Sequence, residues 1–241
     1  MNTQQICING IPAILWGVSS KRLYLYIHGQ DGNKEEAATL SEIVCRHGWQ
    51  VLSIDLPEHG DRKGEIYSFV PWHIVPELNS VMEYVKSRWK HISLFANSIG
   101  AWFSMLSFCN ERLEKCLFVS PVLDMEQLIS KMLRWENVSE VRLKQELIIP
   151  TSFGQTLSWE YWRYAIEHPI VKWDVPTEIL YGGKDNLIER GEVELFTRKF
   201  GCDLTVMENS EHWFHTEQQI AFMRRWLNKS FRNKELSENV R

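Results

Sequence analysis

The sequence has few cysteines, and none of them lies in a pattern that binds metal. There are five among 241 residues, with no Cys-x-x-Cys pair and no spacing typical of a metal site. An odd number of cysteines, two of them in apolar runs, is typical of reduced and mostly buried thiols, which indicates a cytoplasmic protein. The five are Cys7, Cys45, Cys109, Cys116 and Cys202.

Long hydrophobic runs and an excess of positive charge are also missing. No apolar run approaches the roughly 20 residues of a transmembrane helix. Residues 1–5 lack the charged and apolar regions of a secretory signal, which again favours the cytoplasm. The formal net charge is −4, so the sequence offers no basic surface of the kind that nucleic acids require. Membrane-spanning, secreted and nucleic-acid-binding classes are therefore not expected.

What the sequence does contain is an alternation of short apolar strands with amphipathic helices. This alternation predicts the α/β class, with a mostly parallel central sheet and helices on both faces. A turn at Asn9-Gly10 predicts an initial hairpin, and a loose polar tail is expected from Asn233. The predicted strands are 5–8, 11–16, 23–27, 51–54, 91–96, 117–119, 178–181 and 204–207. The predicted helices are 34–47, 73–89, one after Ser98, 188–199, and one that ends near Ser230.

Residues 121–172 interrupt this alternation between two predicted strands. The segment has a helical pattern and many aromatic side chains. Because ligands bind at the carboxyl edge of a parallel sheet, we expect this segment to form a helical cap over that edge. The chain would then consist of a core domain, residues 1–120 and 173–241, and a cap insert, residues 121–172. The aromatic residues of the insert include Trp135, Phe153, Trp159, Tyr161, Trp162 and Tyr164.

One stretch around Ser98 has the pattern of a strand, a sharp turn and the start of a helix. Ala96 and Gly100 lie two residues before and two residues after Ser98. Small residues at these positions let the chain reverse tightly and leave the serine hydroxyl clear of the backbone. An ordinary helix N-cap is the alternative role for such a serine.

Two further polar residues, Asp185 and His212, follow later predicted strands. Because the carboxyl ends of parallel strands meet at one edge, we expect both to lie near Ser98. A serine hydroxyl needs an adjacent base, which is usually a histidine oriented by a carboxylate. Asp124 follows the next predicted strand after Ser98 and is an alternative acid, and His215 is an alternative base.

These features resemble the α/β-hydrolase superfamily, whose catalytic residues occur in the order serine, acid, histidine. The sequence Ala-Asn-Ser-Ile-Gly at 96–100 resembles its Gly-x-Ser-x-Gly nucleophile elbow, with Ala96 in place of the first glycine. Tyr-Gly-Gly-Lys-Asp at 181–185 and Glu-His-Trp-Phe at 211–214 resemble the loops of its acid and base. The resemblance covers nearly all of the chain outside the insert. It is strongest with small capped esterases of the cinnamoyl-esterase and monoglyceride-lipase type.

The resemblance implies a serine hydrolase of the EC 3.1.1 type, which cleaves a carboxylic ester with a small or medium apolar acyl or aryl group. Ser98 would be the nucleophile, His212 the base and Asp185 the residue that orients it. The backbone N–H groups of Gln30 and Ile99 would form the oxyanion hole. This chemistry needs a small-molecule substrate but no metal and no organic cofactor. A thioesterase, an amidase or peptidase, a C–C hydrolase and a non-catalytic binding module are the alternatives, and the oligomeric state stays open.

Two residues of the insert, Trp159 and Trp162, share one face of a predicted helix. Large aromatic side chains with few rotatable bonds suit the lining of an apolar pocket. We therefore consider both as candidate substrate-binding residues, with a packing face as the alternative. We expect His28 to orient its loop and not to act as a catalyst. We also expect no catalytic role for Asp55, Glu58 and His59.

Overall fold

A computed structural model describes residues 1–66 and 68–238 of the chain, with only the backbone described for residues 232–238. Ten strands and eight α-helices are present in this part of the chain. The strands are β1 Thr3–Ile8, β2 Ile11–Trp16, β3 Arg22–Ile27, β4 Gln50–Ile54, β5 His91–Asn97, β6 Cys116–Val119, β7 Ile148–Pro150, β8 Thr156–Ser158, β9 Thr177–Gly182 and β10 Asp203–Met207. The helices are α1 Ala38–Val44, α2 Pro71–Lys86, α3 Ile99–Phe108, α4 Met125–Trp135, α5 Glu140–Glu146, α6 Trp159–Glu167, α7 Arg190–Phe200 and α8 Glu217–Glu238.

Eight of the strands form one sheet, in the order β1-β2-β4-β3-β5-β6-β9-β10. The pairs β1–β2 and β2–β4 are antiparallel, and every pair from β4 to β10 is parallel. The predicted class, a mostly parallel sheet with helices, is confirmed. Since β3, β5, β6, β9 and β10 run in one direction, the loops that follow them all lie at the same edge of the sheet.

The two faces of the sheet are covered by different helices, and β3 shows why. Alternate residues of a strand point to opposite faces. Leu23 and Leu25 pack into the apolar cluster that contains residues of α2, α3 and α7. Tyr24 and Tyr26 pack into the cluster formed with α1 and α8. Because residues 23–27 of β3 are buried on both faces, they are aliphatic or aromatic and do not alternate with charged residues.

The region predicted as one helix over 34–47 is divided into three parts. A 3₁₀ turn covers Lys34–Ala37, α1 follows, and a second 3₁₀ turn covers Cys45–His47. The first turn is held by Asp55, which accepts hydrogen bonds from both the backbone N–H and the Nζ of Lys34. This constraint comes from a residue 21 positions away, so the local apolar pattern does not contain it.

The insert is not wholly helical, contrary to the sequence-based prediction. It contains α4, α5 and α6, but β7 and β8 form an antiparallel hairpin between them. Each of these strands has three residues, with Ile149 and Leu157 as the buried centres of the pair. One buried residue per strand does not produce an alternating pattern, which explains why the hairpin was not predicted.

The last helix is longer than predicted. α8 ends at Glu238 and not near Ser230, so the loose tail expected from Asn233 begins as helix, and residues 239–241 lie outside the described residues. No helix in the described part of the chain combines the length and the apolar character that crossing a bilayer requires.

Candidate active site

Ser98 lies at the sharp turn between β5 and α3, as the sequence indicates. Its backbone has φ 48° and ψ −122°, a conformation that a residue with a Cβ rarely adopts. The turn is held from the neighbouring strand, because Ser98 N–H donates to the carbonyl of Val119 over 3.0 Å and Val122 N–H donates to the carbonyl of Ser98 over 3.0 Å. The half-buried side chain of Ser98 is therefore presented at the carboxyl edge of the sheet.

The loop after β3 passes directly against this turn, and two glycines make the approach possible. A Cβ on Gly100 would lie 2.3 Å from the carbonyl oxygen of His28. A Cβ on Gly29 would lie 3.1 Å from the Cβ of Ser98. The first distance is too short for any side chain, so position 100 requires glycine. Ala96, which replaces the first glycine of the elbow motif, is fully buried in the sheet.

Asp185 and His212 both lie beside Ser98, and the three side chains form one hydrogen-bonded series. Ser98 Oγ lies 2.8 Å from His212 Nε2. His212 Nδ1 lies 2.6 Å from Asp185 Oδ2. Ser98 and His212 are 114 residues apart in the chain, and the sheet brings them together at its carboxyl edge. The order of the three side chains is the one that a nucleophile, a base and an orienting acid require.

The carboxylate of Asp185 is fixed by more than the histidine. Its side chain is 0% exposed. Its second oxygen accepts hydrogen bonds from the backbone N–H of Leu187 over 2.8 Å and of Ile188 over 2.9 Å. These three interactions satisfy a buried charge and orient it toward the imidazole.

The two backbone N–H groups that the sequence analysis assigns to an oxyanion hole belong to α3 and to the loop after β3. Ile99 is the first residue of α3, so its N–H has no partner within the helix and lies at the positive end of the helix dipole. In the loop after β3, Gly32 N–H donates to the carbonyl of Gly29 and Asp31 N–H donates to His59 Nε2. Gln30 lies between Gly29 and Asp31. Among the described residues, its N–H makes no hydrogen bond to a backbone carbonyl in a turn or loop.

The alternative acid and base have other partners. Asp124 is the N-cap of α4, and its carboxylate accepts a hydrogen bond from Gln127 N–H over 3.0 Å. His215 stacks on Trp213 with ring centroids 4.4 Å apart, and its Nδ1 lies 2.9 Å from the carbonyl of Trp213. The described contacts of Ser98 and Asp185 therefore involve His212, and those of Asp124 and His215 do not.

The insert contacts the first turns of α3 through aromatic rings. Tyr161 of α6 stacks on Trp102, with centroids 6.0 Å apart, and also contacts Trp72 of α2. Of the two tryptophans singled out from the sequence, Trp162 is 5% exposed within the core cluster. Trp159 is half-buried, with Lys144 Nζ 5.6 Å from its ring centre. Tyr161 was not selected from the sequence as a substrate-binding candidate, although among the described ring contacts Tyr161 stacks on α3 and the two tryptophans do not.

A buried ion pair lies close to the site and was not predicted. Lys34 is 1% exposed and Asp55 is 0% exposed, and Lys34 Nζ lies 2.7 Å from Asp55 Oδ2. Burial by itself lowers the pKa of Lys34, but hydrogen bonds to Asp55, Asp61 and Glu35 outweigh this and raise it above the usual range. The pair joins the segment after β3 to the loop after β4. Among the described residues, no cluster of histidine, cysteine and carboxylate side chains is arranged to hold a metal ion.

This architecture was compared with solved structures. Est1E of Butyrivibrio proteoclasticus with ferulic acid bound has a TM-score of 0.77 at 19% identity, over 97% of this chain and 99% of that chain. Mouse alpha/beta hydrolase domain-containing protein 10 has a TM-score of 0.77 at 11% identity, over 97% and 99%. The chain has the α/β-hydrolase fold. An esterase of Pyrococcus furiosus shares this α/β-hydrolase fold with a TM-score of 0.66 at 16% identity, over 96% of this chain and 88% of that chain.

Comparison of the sequence itself gives no such relation. No protein-family model matches the chain, and no curated protein matches it significantly. The α/β-hydrolase fold is therefore recognised through the three-dimensional structure and through the short motifs around Ser98, Asp185 and His212.

Proposed function

We propose that this protein is a serine hydrolase that cleaves a carboxylic ester. The observation that carries this proposal is the series from buried Asp185 through His212 to Ser98, with distances of 2.6 Å and 2.8 Å. A helix N-cap serine, which is the alternative role for Ser98, has no need of a histidine on its hydroxyl. In agreement, the Ser98 side chain makes no capping hydrogen bond to α3.

In the proposed first step, Ser98 Oγ attacks the ester carbonyl and His212 Nε2 takes its proton. Asp185 keeps the proton of His212 on Nδ1, so that Nε2 is free to act as the base, and it stabilises the imidazolium that forms. The negative oxygen of the tetrahedral intermediate accepts hydrogen bonds from Ile99 N–H and Gln30 N–H. His212 then returns the proton to the leaving alcohol, and the acyl group stays on Ser98.

In the second step, water replaces the alcohol. His212 takes a proton from the water, which attacks the acyl-enzyme, and the same two N–H groups hold the oxyanion again. Collapse of this intermediate releases the carboxylic acid and returns the proton to Ser98. No step needs a group beyond the side chains and N–H groups named here and water.

For the acyl side of the substrate we propose a small or medium apolar or aryl group, with the insert as the element that selects it. The stacking of Tyr161 on Trp102 supports this proposal, because it places an aromatic part of the insert against the elbow helix. Ferulic acid, which is bound in the solved structure of Est1E, is an aryl acid of suitable size. Hydroxycinnamate esters are therefore the first substrates to test.

Labelling with a fluorophosphonate tests the nucleophile. The probe should modify the wild-type protein at Ser98. Ser98→Ala should abolish labelling and lower ester hydrolysis by several orders of magnitude, leaving only what binding and the oxyanion hole supply. Ser120→Ala is a matched control, because Ser120 also follows a strand with a positive φ of 42°. The proposal is wrong if Ser98→Ala keeps more than about a tenth of the wild-type rate, or if labelling requires Ser120.

A substrate panel tests the bond that is cleaved. Methyl, phenyl and hydroxycinnamoyl esters should be compared with a thioester and an amide of the same acyl groups. We expect the highest kcat/KM with an ester. A higher kcat/KM with the matched thioester would favour a thioesterase, an activity named for one structure of similar fold at 15% identity and a TM-score of 0.61.

A further inference from the structure

Two buried histidines link the loop after β3 to the loop after β4, and each binds to the loop of the other. His28 lies in the first loop, and its Nε2 accepts a hydrogen bond from Leu56 N–H of the second loop over 2.9 Å. His59 lies in the second loop, and its Nε2 accepts a hydrogen bond from Asp31 N–H of the first loop over 3.0 Å. The ring centroids are 5.1 Å apart.

The other ring nitrogen of each histidine fixes its protonation. His28 Nδ1 lies 2.7 Å from the carbonyl of Gly29, and His59 Nδ1 lies 2.7 Å from the carbonyl of Pro57. A carbonyl only accepts, and each Nε2 already accepts from a backbone N–H. Both rings are therefore neutral and carry their proton on Nδ1. Burial lowers the pKa of His28 to about 4, which is consistent with a ring that stays neutral.

The bonds made by these rings surround one residue. Gly29 and Asp31 are the chain neighbours of Gln30, and each is bound by one histidine. A turn closed by Gly32 N–H and the carbonyl of Gly29 adds a third restraint. Gln30 itself is exposed, so its backbone is held through its two neighbours and not by packing of its own side chain.

We propose that His28 and His59 form a reciprocal clasp that positions Gln30 N–H as an oxyanion donor. They are positioning residues, because they contact the loop and not the reacting atoms. This inference rests on the proposed function. It assigns a role in the reaction to two histidines that lie outside the series of Asp185, His212 and Ser98.

The surroundings of His59 allow the clasp to be tested without removing a charge. Its ring packs against His28 and against Phe69, with ring centroids 4.5 Å apart in the second case. The nearby charges of Lys34 and Asp55 belong to their own ion pair, which substitutions at His59 leave in place. His59→Phe keeps an aromatic ring but removes the acceptor for Asp31 N–H. His59→Gln keeps an acceptor, because its Oε1 extends to nearly the position of Nε2.

The kinetic experiment compares these two variants with the wild type in kcat, in KM, and in the Kd of a trifluoromethyl ketone, which forms an oxyanion on a reactive serine. We expect His59→Phe to lower kcat about 10- to 100-fold and to weaken the ketone by a similar factor, since deleting one donor outright costs roughly 100- to 1,000-fold. KM should stay within about twofold, because the donor acts on the oxyanion and not on the bound ester. His59→Gln should recover most of the loss.

His91→Phe is the control, because His91 begins β5 at the opposite edge of the sheet, and it should match the wild type. The clasp is refuted as a positioning device if His59→Phe keeps the wild-type kcat and ketone affinity, or if His59→Gln is as impaired as His59→Phe. A change in KM and melting temperature alone would show a purely structural role and would also refute it.

Nitrogen NMR of the wild-type protein tests the clasp independently of catalysis. Both rings should show protonated Nδ1 and unprotonated Nε2 at pH 7, and a proton on either Nε2 would overturn the inference. Failure of the proposed function has a different signature. In that case the wild type would not react with a fluorophosphonate or hydrolyse any ester, while the NMR result would still decide whether the clasp exists.

Discussion

At the scale of single residues, the site depends on backbone conformations that the chain adopts only under tertiary restraint. Ser98 has φ 48°, and Ser120 at the end of β6 has φ 42°. A non-glycine residue in such a conformation costs on the order of 1–3 kcal/mol. Hydrogen bonds across the strand ends hold both residues, because Ser98 N–H donates to Val119 and Ser120 N–H donates to Leu180. The sheet thus supplies the free energy that holds Ser98, the proposed nucleophile, in this conformation at its edge.

The acid can be identified by exchanging one carboxylate for an amide. Asp185→Asn should preserve the fold but lower kcat by about 10⁴, because the amide no longer holds the proton of His212 on Nδ1. Asp124→Asn should leave kcat nearly unchanged, since asparagine also caps helices well. Steady-state kinetics on one ester measure both effects. The reverse ranking would make Asp124 the acid.

The contact between the elbow and the loop after β3 can be tested at Gly100. Gly100→Ala would place a Cβ 2.3 Å from the carbonyl of His28, so the loop must move. We expect a loss of kcat of at least about 10-fold, because Gln30 N–H moves with the loop, and a lower melting temperature. Gly191→Ala is the matched control, since a Cβ there has no neighbour within 4 Å. This variant should leave kcat unchanged and should alter the free energy of unfolding by no more than about 1 kcal/mol. A fully active Gly100→Ala variant would contradict this account of the contact.

At the scale of elements, the insert contacts the helix that follows Ser98 through α6. Tyr161 and Tyr164 of α6 both contact Trp102 of α3. The hydroxyl of Tyr161 is buried and has no hydrogen-bond partner among the described residues. Burial raises the pKa of Tyr161 well above its usual value, so this hydroxyl stays neutral and is free to donate.

Truncation of Tyr161 tests whether the insert selects the acyl group. Tyr161→Ala should change kcat/KM unequally across esters of different acyl size, since it removes a large rigid ring beside the elbow helix. The rate of modification of Ser98 by a very small phosphonate should change much less. Trp159→Ala belongs in the same series. Trp135→Ala is the control, because Trp135 is 45% exposed at the end of α4 and packs on Phe153. If Tyr161→Ala lowers every ester rate by one factor, the insert is only a packing element.

The elements of the core were predictable because each carries a long apolar pattern. The central residues of β3 and β5 are buried on both faces, and α2 has apolar residues at helical spacing from Ile74 to Val85. The hairpin of β7 and β8 has no comparable signal, since each strand buries one side chain. Helix ends were less predictable: α2 is displaced by two to three residues, and α8 ends eight residues beyond Ser230. At Lys34 the start of α1 is displaced by a distant partner, Asp55.

The candidate site was predictable to a similar extent. Ser98, Asp185 and His212 stood out because each follows a strand and their order is characteristic. The partners that hold them did not stand out. The reciprocal contacts of His28 and His59 join residues 28 positions apart, and nothing in the local sequence of either loop indicates a partner in the other. Such pairings follow from the strand order β4-β3-β5, which the sequence pattern does not define.

At the scale of the whole molecule, one carboxyl group makes stability depend on pH. Glu192 of α7 lines a cavity of about 170 Å³ together with Asp124 and Trp102, and its Oε1 is buried without a partner among the described residues. Burial, with a smaller contribution from the charge of Asp124, raises the pKa of Glu192 to about 7. Because the pKa of Glu192 is higher in the folded state than in the unfolded state, its protonation stabilises the fold. This contribution is fully present below the unfolded-state pKa near 4.5. That contribution is lost as the pH rises through 7.

Glu192→Gln should therefore raise the melting temperature relative to the wild type at pH 8, where the wild type must bury a charge. The difference should vanish or reverse at pH 4.5, where the carboxyl is neutral. The expected gain at pH 8 is about 2 kcal/mol, after allowing for the partial exposure of the side chain. Thermal unfolding at the two pH values measures it. Glu194→Gln, on an exposed ion pair of the same helix, is the control, and equal shifts at both pH values would contradict the assignment.

The long separation of Ser98 from His212, its proposed base, has a consequence for the nascent chain. A ribosome adds about 5–20 residues per second, so the 114 residues between Ser98 and His212 take roughly 6–23 s to appear. During this time Ser98 lacks the histidine that we propose as its base, and β10, the strand that precedes this histidine, is among the last parts of the sheet to be made. In the proposed mechanism, a chain that ends before residue 212 therefore has no base for Ser98, and the proposed activity begins only after this part of the chain has been synthesised and has folded.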